Sequence, residues 1–173
     1  MIYIDSHYNL KIDIIMKRKV LSILLLACGI FGFTAAVSAQ TAGINWIPSY
    51  SDAVEKAKAE NKPLFILFTG SDWCPYCIYL ERDVLSKEAF KKYAADNLIM
   101  VIADFPRGIQ QNAEVIEQNK TLQRQFGVRG FPTVVLVNVE NNRQARLGYE
   151  RDITPEIFND KIQAFKVESG LAK

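Results

Sequence analysis

Cys74 and Cys77, in the run Ser71-Asp72-Trp73-Cys74-Pro75-Tyr76-Cys77-Ile78, are the residues of this chain whose type and spacing best suit chemistry. Two intervening residues let both sulfurs meet within one helical turn. A thiolate so placed can attack a disulfide, and its neighbour can then displace it from the mixed disulfide. Proline is well tolerated at the first helical position, so Pro75 sets Cys74 at a helix N-terminus. Unpaired backbone N–H groups and the helix dipole favour a thiolate there. Cys74 is therefore expected to attack and Cys77 to resolve. Three plainer readings compete. A zinc half-site would need further ligands, yet no second cysteine pair follows, and the one histidine of the chain is His7,. Haem attachment needs a histidine after the second cysteine, where Ile78 stands,. An inert disulfide would close so short a loop that it restricts the unfolded chain little. The isolation of His7 also argues against a Cys–His pair or a histidine base.

The flanking pattern shows how the cysteines are positioned. Leu64 to Phe68 is a continuous apolar run, the pattern of a strand buried on both faces, and Thr69-Gly70-Ser71-Asp72 is a turn,. Asp52 to Glu60 reads as a helix with Ser51 or Asp52 as cap, stopped by Asn61-Lys62-Pro63,. Ser86 can cap a further helix to about Asp96, and Leu98 to Ala103 reads as a second buried strand. The two strands are parallel if the helices between them form a crossover,. Gln110 to Phe126 is helical in part. Thr133 to Val137 is a third strand, Glu140-Asn141-Asn142-Arg143 a hairpin turn and Gln144 to Tyr149 a fourth strand. Thr154-Pro155-Glu156 opens a last helix whose apolar face is read as Ile157, Phe158, Ile162 and Phe165,. This order predicts an α/β domain with a mixed parallel and antiparallel sheet and helices on both faces. The Phe131–Pro132 bond precedes the third strand. Taken alone it reads as an ordinary trans bond; beside the cysteine pair it reads as a cis turn that leaves backbone groups free for an extended substrate. Trp73 and Tyr76 flank the cysteines, either as an apolar rim for a docked polypeptide or as packing under the loop.

The chain of 173 residues is 49% hydrophobic and 23% charged, an ordinary globular composition,. Four of its 21 basic and two of its 19 acidic residues precede Gln40, which leaves 17 of each sign in the body. A neutral body argues against nucleic-acid binding, which draws on phosphate neutralisation. Met16-Lys17-Arg18-Lys19 is basic, Val20 to Phe33 is apolar, and Ala35-Ala36-Val37-Ser38-Ala39 is small-sided. That is the order of a secretory signal peptide. The expectation is a leader within residues 1–39, a true start at Met16, cleavage after Ala39 and one domain over 40–173. An uncleaved anchor is one rival, although the apolar run is short for a membrane span. Lipid attachment at Cys28, behind Leu25-Leu26-Ala27, is the other. Export places the cysteine pair in the periplasm, or lipid-anchored in the envelope, with membrane contact only through the leader.

Four segments then carry a resemblance: Phe68 to Cys77, Ala103-Asp104-Phe105-Pro106-Arg107, Gly130-Phe131-Pro132-Thr133 and Leu147-Gly148-Tyr149. In this order they resemble the thioredoxin superfamily, specifically secreted bacterial thioredoxin-like proteins, over nearly all of Ser51 to Phe165. The resemblance implies a thioredoxin fold, Cys74 as nucleophile, Cys77 as resolving thiol and a cis Pro132. The expected substrate contacts are Trp73, Pro75, Tyr76, Phe131 and Pro132. No cofactor beyond the Cys74–Cys77 disulfide and no metal is expected. Partners would be protein thiols and disulfides, with a membrane electron donor. Two features depart from the pattern. Phe68 stands where a buried acid is usual, so proton transfer at Cys77 falls to water or to Glu81, Asp72 or Asp104, each equally readable as a plain solvated or capping charge,. The stretch from Asp104 to Phe131 is longer than usual. The function expected is a thiol–disulfide oxidoreductase working as a periplasmic reductase. A non-catalytic thioredoxin-fold binding module is the alternative, and a peroxidase fits the motif poorly.

Overall fold

The structure is a computed structural model and describes residues 43–171. The expectations for His7, Met16, Cys28 and the bond after Ala39 fall outside those residues.

Strand β1 (Leu64–Thr69) is buried at every position. It lies between β2 (Ile99–Asp104), which is parallel to it, and β3 (Thr133–Val137), which is antiparallel. Strand β4 (Gln144–Leu147) pairs antiparallel with β3, so the order is β2-β1-β3-β4. A central strand covered on both faces needs apolar side chains in both directions, hence the unbroken apolar run. Alternate residues serve the two sides. Phe65 and Leu67 join Leu80, Phe90, Phe158 and Ile162 in one core. Leu64, Ile66 and Phe68 join Ala53, Ala57, Leu122 and Phe126 in the other,.

Helix α1 (Tyr50–Glu60) starts earlier than expected, because Ser49 rather than Ser51 or Asp52 accepts the capping bond, from the Asp52 N–H. It ends at Asn61 in the left-handed region, φ 50°. Helix α2 (Pro75–Leu80) continues into a π-helical turn, Glu81–Leu85. The wider turn takes the Ser86 N–H to Glu81 O at 2.8 Å, while Ser86 Oγ donates to Arg82 O. Ser86 thus closes the preceding turn. It does not cap helix α3 (Glu88–Asn97), which begins after Lys87 without a side-chain cap. Helix α4 (Ala113–Gln125) is capped by Asn112. Helix α5 (Pro155–Ser169) is capped by Thr154 and buries Phe158, Ile162 and Phe165. Ile157 falls off that three-to-four spacing and is 46% exposed, which corrects the expected apolar face,. Strand β4 stops two residues short of Tyr149.

The register fixes where the site forms. Phe68 of β1 faces Thr133 of β3, so the loop leaving β1 and the proline entering β3 emerge at the same edge of the sheet.

Candidate active site

The loop after β1 is built to turn tightly. Cys74 N–H bonds Gly70 O at 2.9 Å, and a Cβ on Gly70 would lie 2.5 Å from the Trp73 indole. Only a glycine lets the ring settle on that backbone. Cys74 is the extended N-cap residue of α2, with Pro75 next to it. Its carbonyl accepts from Cys77 N–H at 3.0 Å and Ile78 N–H at 3.1 Å, and its Sγ accepts from the Cys77 N–H at 3.3 Å. Cys74 and Cys77 form a disulfide with their Cα atoms 5.2 Å apart. The backbone donor aimed at Sγ is the group that would hold a thiolate once the bond opens. The turn around the disulfide is exposed at Ser71, Asp72, Pro75 and Tyr76. The sulfur-bearing residues themselves are not, at 4% for Cys74 and 5% for Cys77. In the oxidised protein, attack on the disulfide must come through a narrow approach.

Two aromatic groups flank the disulfide. On one side the half-buried Trp73 donates from Nε1 to Phe105 O at 2.7 Å and meets Phe131 edge-on at 6.1 Å. Phe131 in turn stacks on Phe105 at 5.0 Å. Its bond to Pro132 is cis. On the other side the exposed Tyr76 packs with Tyr79 at 6.1 Å and Tyr149 at 5.9 Å, and the Arg82 guanidinium lies 4.9 Å from the Tyr79 ring centre. Trp73 is therefore packed under the loop and half-buried, while Tyr76 is exposed. Sequence reasoning missed Tyr79, Tyr149 and Phe105 as site residues. The spacing of Tyr76 and Tyr79 along one helical face was the signal for the first of these.

The carboxylates divide by role. Asp104 accepts from both the N–H and the hydroxyl of Ser71, at 3.0 and 2.6 Å. Asp72 accepts from the N–H groups of Gly108, at 2.6 Å, and Arg107, at 3.0 Å. The Gly108 bond, with that of Arg107 behind it, holds the Asp72 carboxyl below the usual carboxylate range. Both acids are therefore occupied in tying the 104–108 loop to the cysteine loop. Glu81 differs. With Cys77, Leu67, Ile102 and Leu85 it lines a cavity of about 420 Å³. Although much of the residue is exposed, burial of the carboxyl raises its pKa, opposed by the charge of Lys91. The strand position expected to lack an acid holds Phe68, fully buried.

Among the described residues no three His, Cys, Asp or Glu side chains gather as a metal site. No described helix is long and apolar enough to cross a membrane.

A family model described as thioredoxin-like matches residues 45–139. The disulfide bond reductase DsbH of Chlamydia pneumoniae is 39% identical over 109 residues, covering 63% of this chain and 65% of its own length. The thioredoxin-related protein DsbJ of the same organism is 28% identical over 154 residues, covering 89% of this chain and 44% of its own. The chain thus matches less than two thirds of the length of either relative. A solved structure of a DsbH oxidoreductase is 37% identical with a TM-score of 0.63, covering 75% of this chain and 85% of that one. With the four-stranded mixed sheet, the disulfide at the start of α2 and the proline at the head of β3, these matches lead to one conclusion: the chain belongs to the thioredoxin-like family.

Proposed function

We propose that this protein is a thiol–disulfide oxidoreductase that reduces disulfides in exported proteins. The observation that carries the reading is Cys74 at the cap of α2, its sulfur accepting a backbone N–H and bonded to Cys77 one turn on. In the reduced protein the Cys74 thiolate attacks one sulfur of a substrate disulfide. The second substrate sulfur leaves as a thiolate and takes a proton. Cys77 then loses its proton and attacks Cys74, which releases the first substrate sulfur as a second thiol. Two electrons pass to the substrate, and the Cys74–Cys77 disulfide forms. The name of DsbH, a disulfide bond reductase, supports the reductive direction.

The proton leaving Cys77 goes to Glu81, whose carboxyl shares a cavity with that sulfur while Asp72 and Asp104 are engaged with backbone donors. Trp73, Pro75, Tyr76, Phe131 and Pro132 contact the substrate chain. No organic cofactor or metal takes part. Returning the pair to the dithiol requires a two-electron donor outside the chain, which we place in the membrane on the family resemblance. The leader, cut after Ala39, delivers residues 40–173 to the periplasm.

The test is reduction of a disulfide-bonded protein such as insulin by protein purified from expression of the full chain, with Cys74→Ser and Cys77→Ser as controls. Rapid reduction by wild type, none by Cys74→Ser and a trapped mixed disulfide in Cys77→Ser support the reading. Wild type no faster than the double variant removes it.

A further inference from the structure

The ring that precedes the nucleophile is covered by a residue from a loop remote in sequence. The guanidinium carbon of Arg107 lies 3.9 Å from the ring centre of Trp73, the stacked geometry in which a cation is attracted to the negative face of an indole. The root of Arg107 is itself fixed, since its N–H donates to both oxygens of Asp72, at 3.0 and 3.1 Å. Asp72 is the immediate neighbour of Trp73, so backbone tie and ring stack close one small circuit. The indole is also held by the Phe105 carbonyl, by the bare backbone of Gly70 and by the edge of Phe131. Among the described residues no carboxylate forms an ion pair with the guanidinium. The guanidinium of this exposed side chain lies over the ring. A lysine would not replace it, because an ammonium is a point charge without a flat face to lay on the indole.

Building on the oxidoreductase reading, we propose that Arg107 is a positioning residue: stacked on Trp73, it fixes the indole against Phe131 as one wall of the groove that receives the substrate polypeptide beside Cys74. Freed of the guanidinium, the ring keeps its bond to Phe105 and its seat on Gly70 but loses the cover on its face, and the wall loosens. The sulfurs remain where α2 puts them. A polypeptide lies along the wall, whereas a small disulfide meets the sulfur alone, so the penalty is selective.

The experiment compares wild type, Arg107→Ala and Arg107→Lys, each produced from the full chain, on insulin and on bis(2-hydroxyethyl) disulfide, a small neutral probe. Arg107→Ala is expected to raise KM for insulin about two- to fivefold, the scale of an exposed cation–π contact. The loss in kcat/KM on insulin should exceed that on the small disulfide at least twofold. Arg107→Lys should recover less than half of the loss. A second readout needs no turnover. The chain has two tryptophans, Trp46 and Trp73, so in a Trp46→Phe background all indole emission comes from Trp73. Arg107→Ala should move that emission to longer wavelength as water reaches the ring. Equal losses on both substrates, full recovery with lysine, or unchanged emission would each overturn the proposal. Failure of the oxidoreductase reading looks different, for the wild type would then reduce neither substrate.

Discussion

The two ends of β1 are finished with the same kind of bond, yet only one end can do chemistry. At the Leu64 end, β1 lies beside the β3–β4 hairpin and the C-terminus of α5. There Asn138 and Asn141 each donate from Nδ2 to Ser169 O at 2.9 Å, and Arg143 donates to Glu168 O. The last carbonyls of a helix are thereby closed by side-chain donors, and Gly170 at φ 82° ends it,. At the Thr69 end the partners are reversed. Side-chain acceptors, Asp72 and Asp104, close the N–H groups of loops, and the helix that begins there is α2. One N–H of its first turn, that of Cys77, is directed at a sulfur. A helix C-terminus presents oxygens and repels an anion; an N-terminus presents donors and holds one. The chemistry thus lies at the edge where the sheet delivers a cysteine to the start of a helix.

The sharpest break of that symmetry is Cys74→Ser. It should cost about three orders of magnitude or more in disulfide reduction, as loss of an enzyme's nucleophile does, with folding intact by thermal melt. Asn138→Ala, at the other end, should leave the rate of the folded protein unchanged.

Next in size is Glu81→Gln, expected to slow release of the reduced product about 10²-fold at neutral pH, the lower range for a positioned proton-transfer group. Stopped-flow decay of the mixed disulfide measures it. Its stability effect has the opposite sign. Burial raises the Glu81 pKa above its ordinary 4.5, so the folded protein binds this proton more tightly than the unfolded chain. That contribution is full below the ordinary value and lost as pH rises through the raised one. Melts of wild type and Glu81→Gln at several pH values should therefore diverge in favour of the variant as pH increases toward neutrality.

Gly70→Ala and Asn138→Ala sharpen the contrast through stability. A methyl at residue 70 would collide with the Trp73 indole, and overpacking of this kind costs about 1–3 kcal/mol. It should also lower activity. Removing the Asn138 amide, 3% exposed, leaves the Ser169 carbonyl with one donor fewer and the Glu140 N–H without its acceptor. The cost is again about 1–3 kcal/mol, with activity retained. Denaturant melts paired with insulin reduction separate the two.

The smallest effect concerns acid. The backbone donors of Gly108 and Arg107 hold Asp72 below its ordinary 3.8. Its contribution is therefore complete above that value and lost as pH falls through the lower folded one. Acid unfolding of wild type should fall more steeply in that window than that of Asp72→Asn.

What could be read ahead of the structure follows from how local each cause is. The apolar run at Leu64 to Phe68 marks β1 because two-sided burial needs no distant information. Pro75 and Pro155 mark helix starts by their own backbone chemistry,. The cap of α1 was harder, for Ser49, Ser51 and Asp52 all carry a suitable oxygen and only the extended backbone at Ser49 decides among them. The π-helical turn over Glu81–Leu85 has no compositional mark, so nothing in the sequence ties Ser86 to the helix before it rather than to the one after it. The ties between the cysteine loop and residues 104–108 span more than thirty positions, beyond any periodicity. Among the acids of the site, sequence named Glu81, Asp72 and Asp104 as equals. Only the cavity beside Cys77 and the backbone donors around the other two separate them.

The central claim is that the start of α2 activates one sulfur, and titrating that sulfur tests it most directly. In reduced Cys77→Ser protein, the pH dependence of alkylation at Cys74, read by mass spectrometry of its peptide, reports its ionisation. Half-ionisation below about pH 7.5, as helix N-termini produce, is the expected result. Half-ionisation at about pH 8.5, the value of a free cysteine, would contradict it.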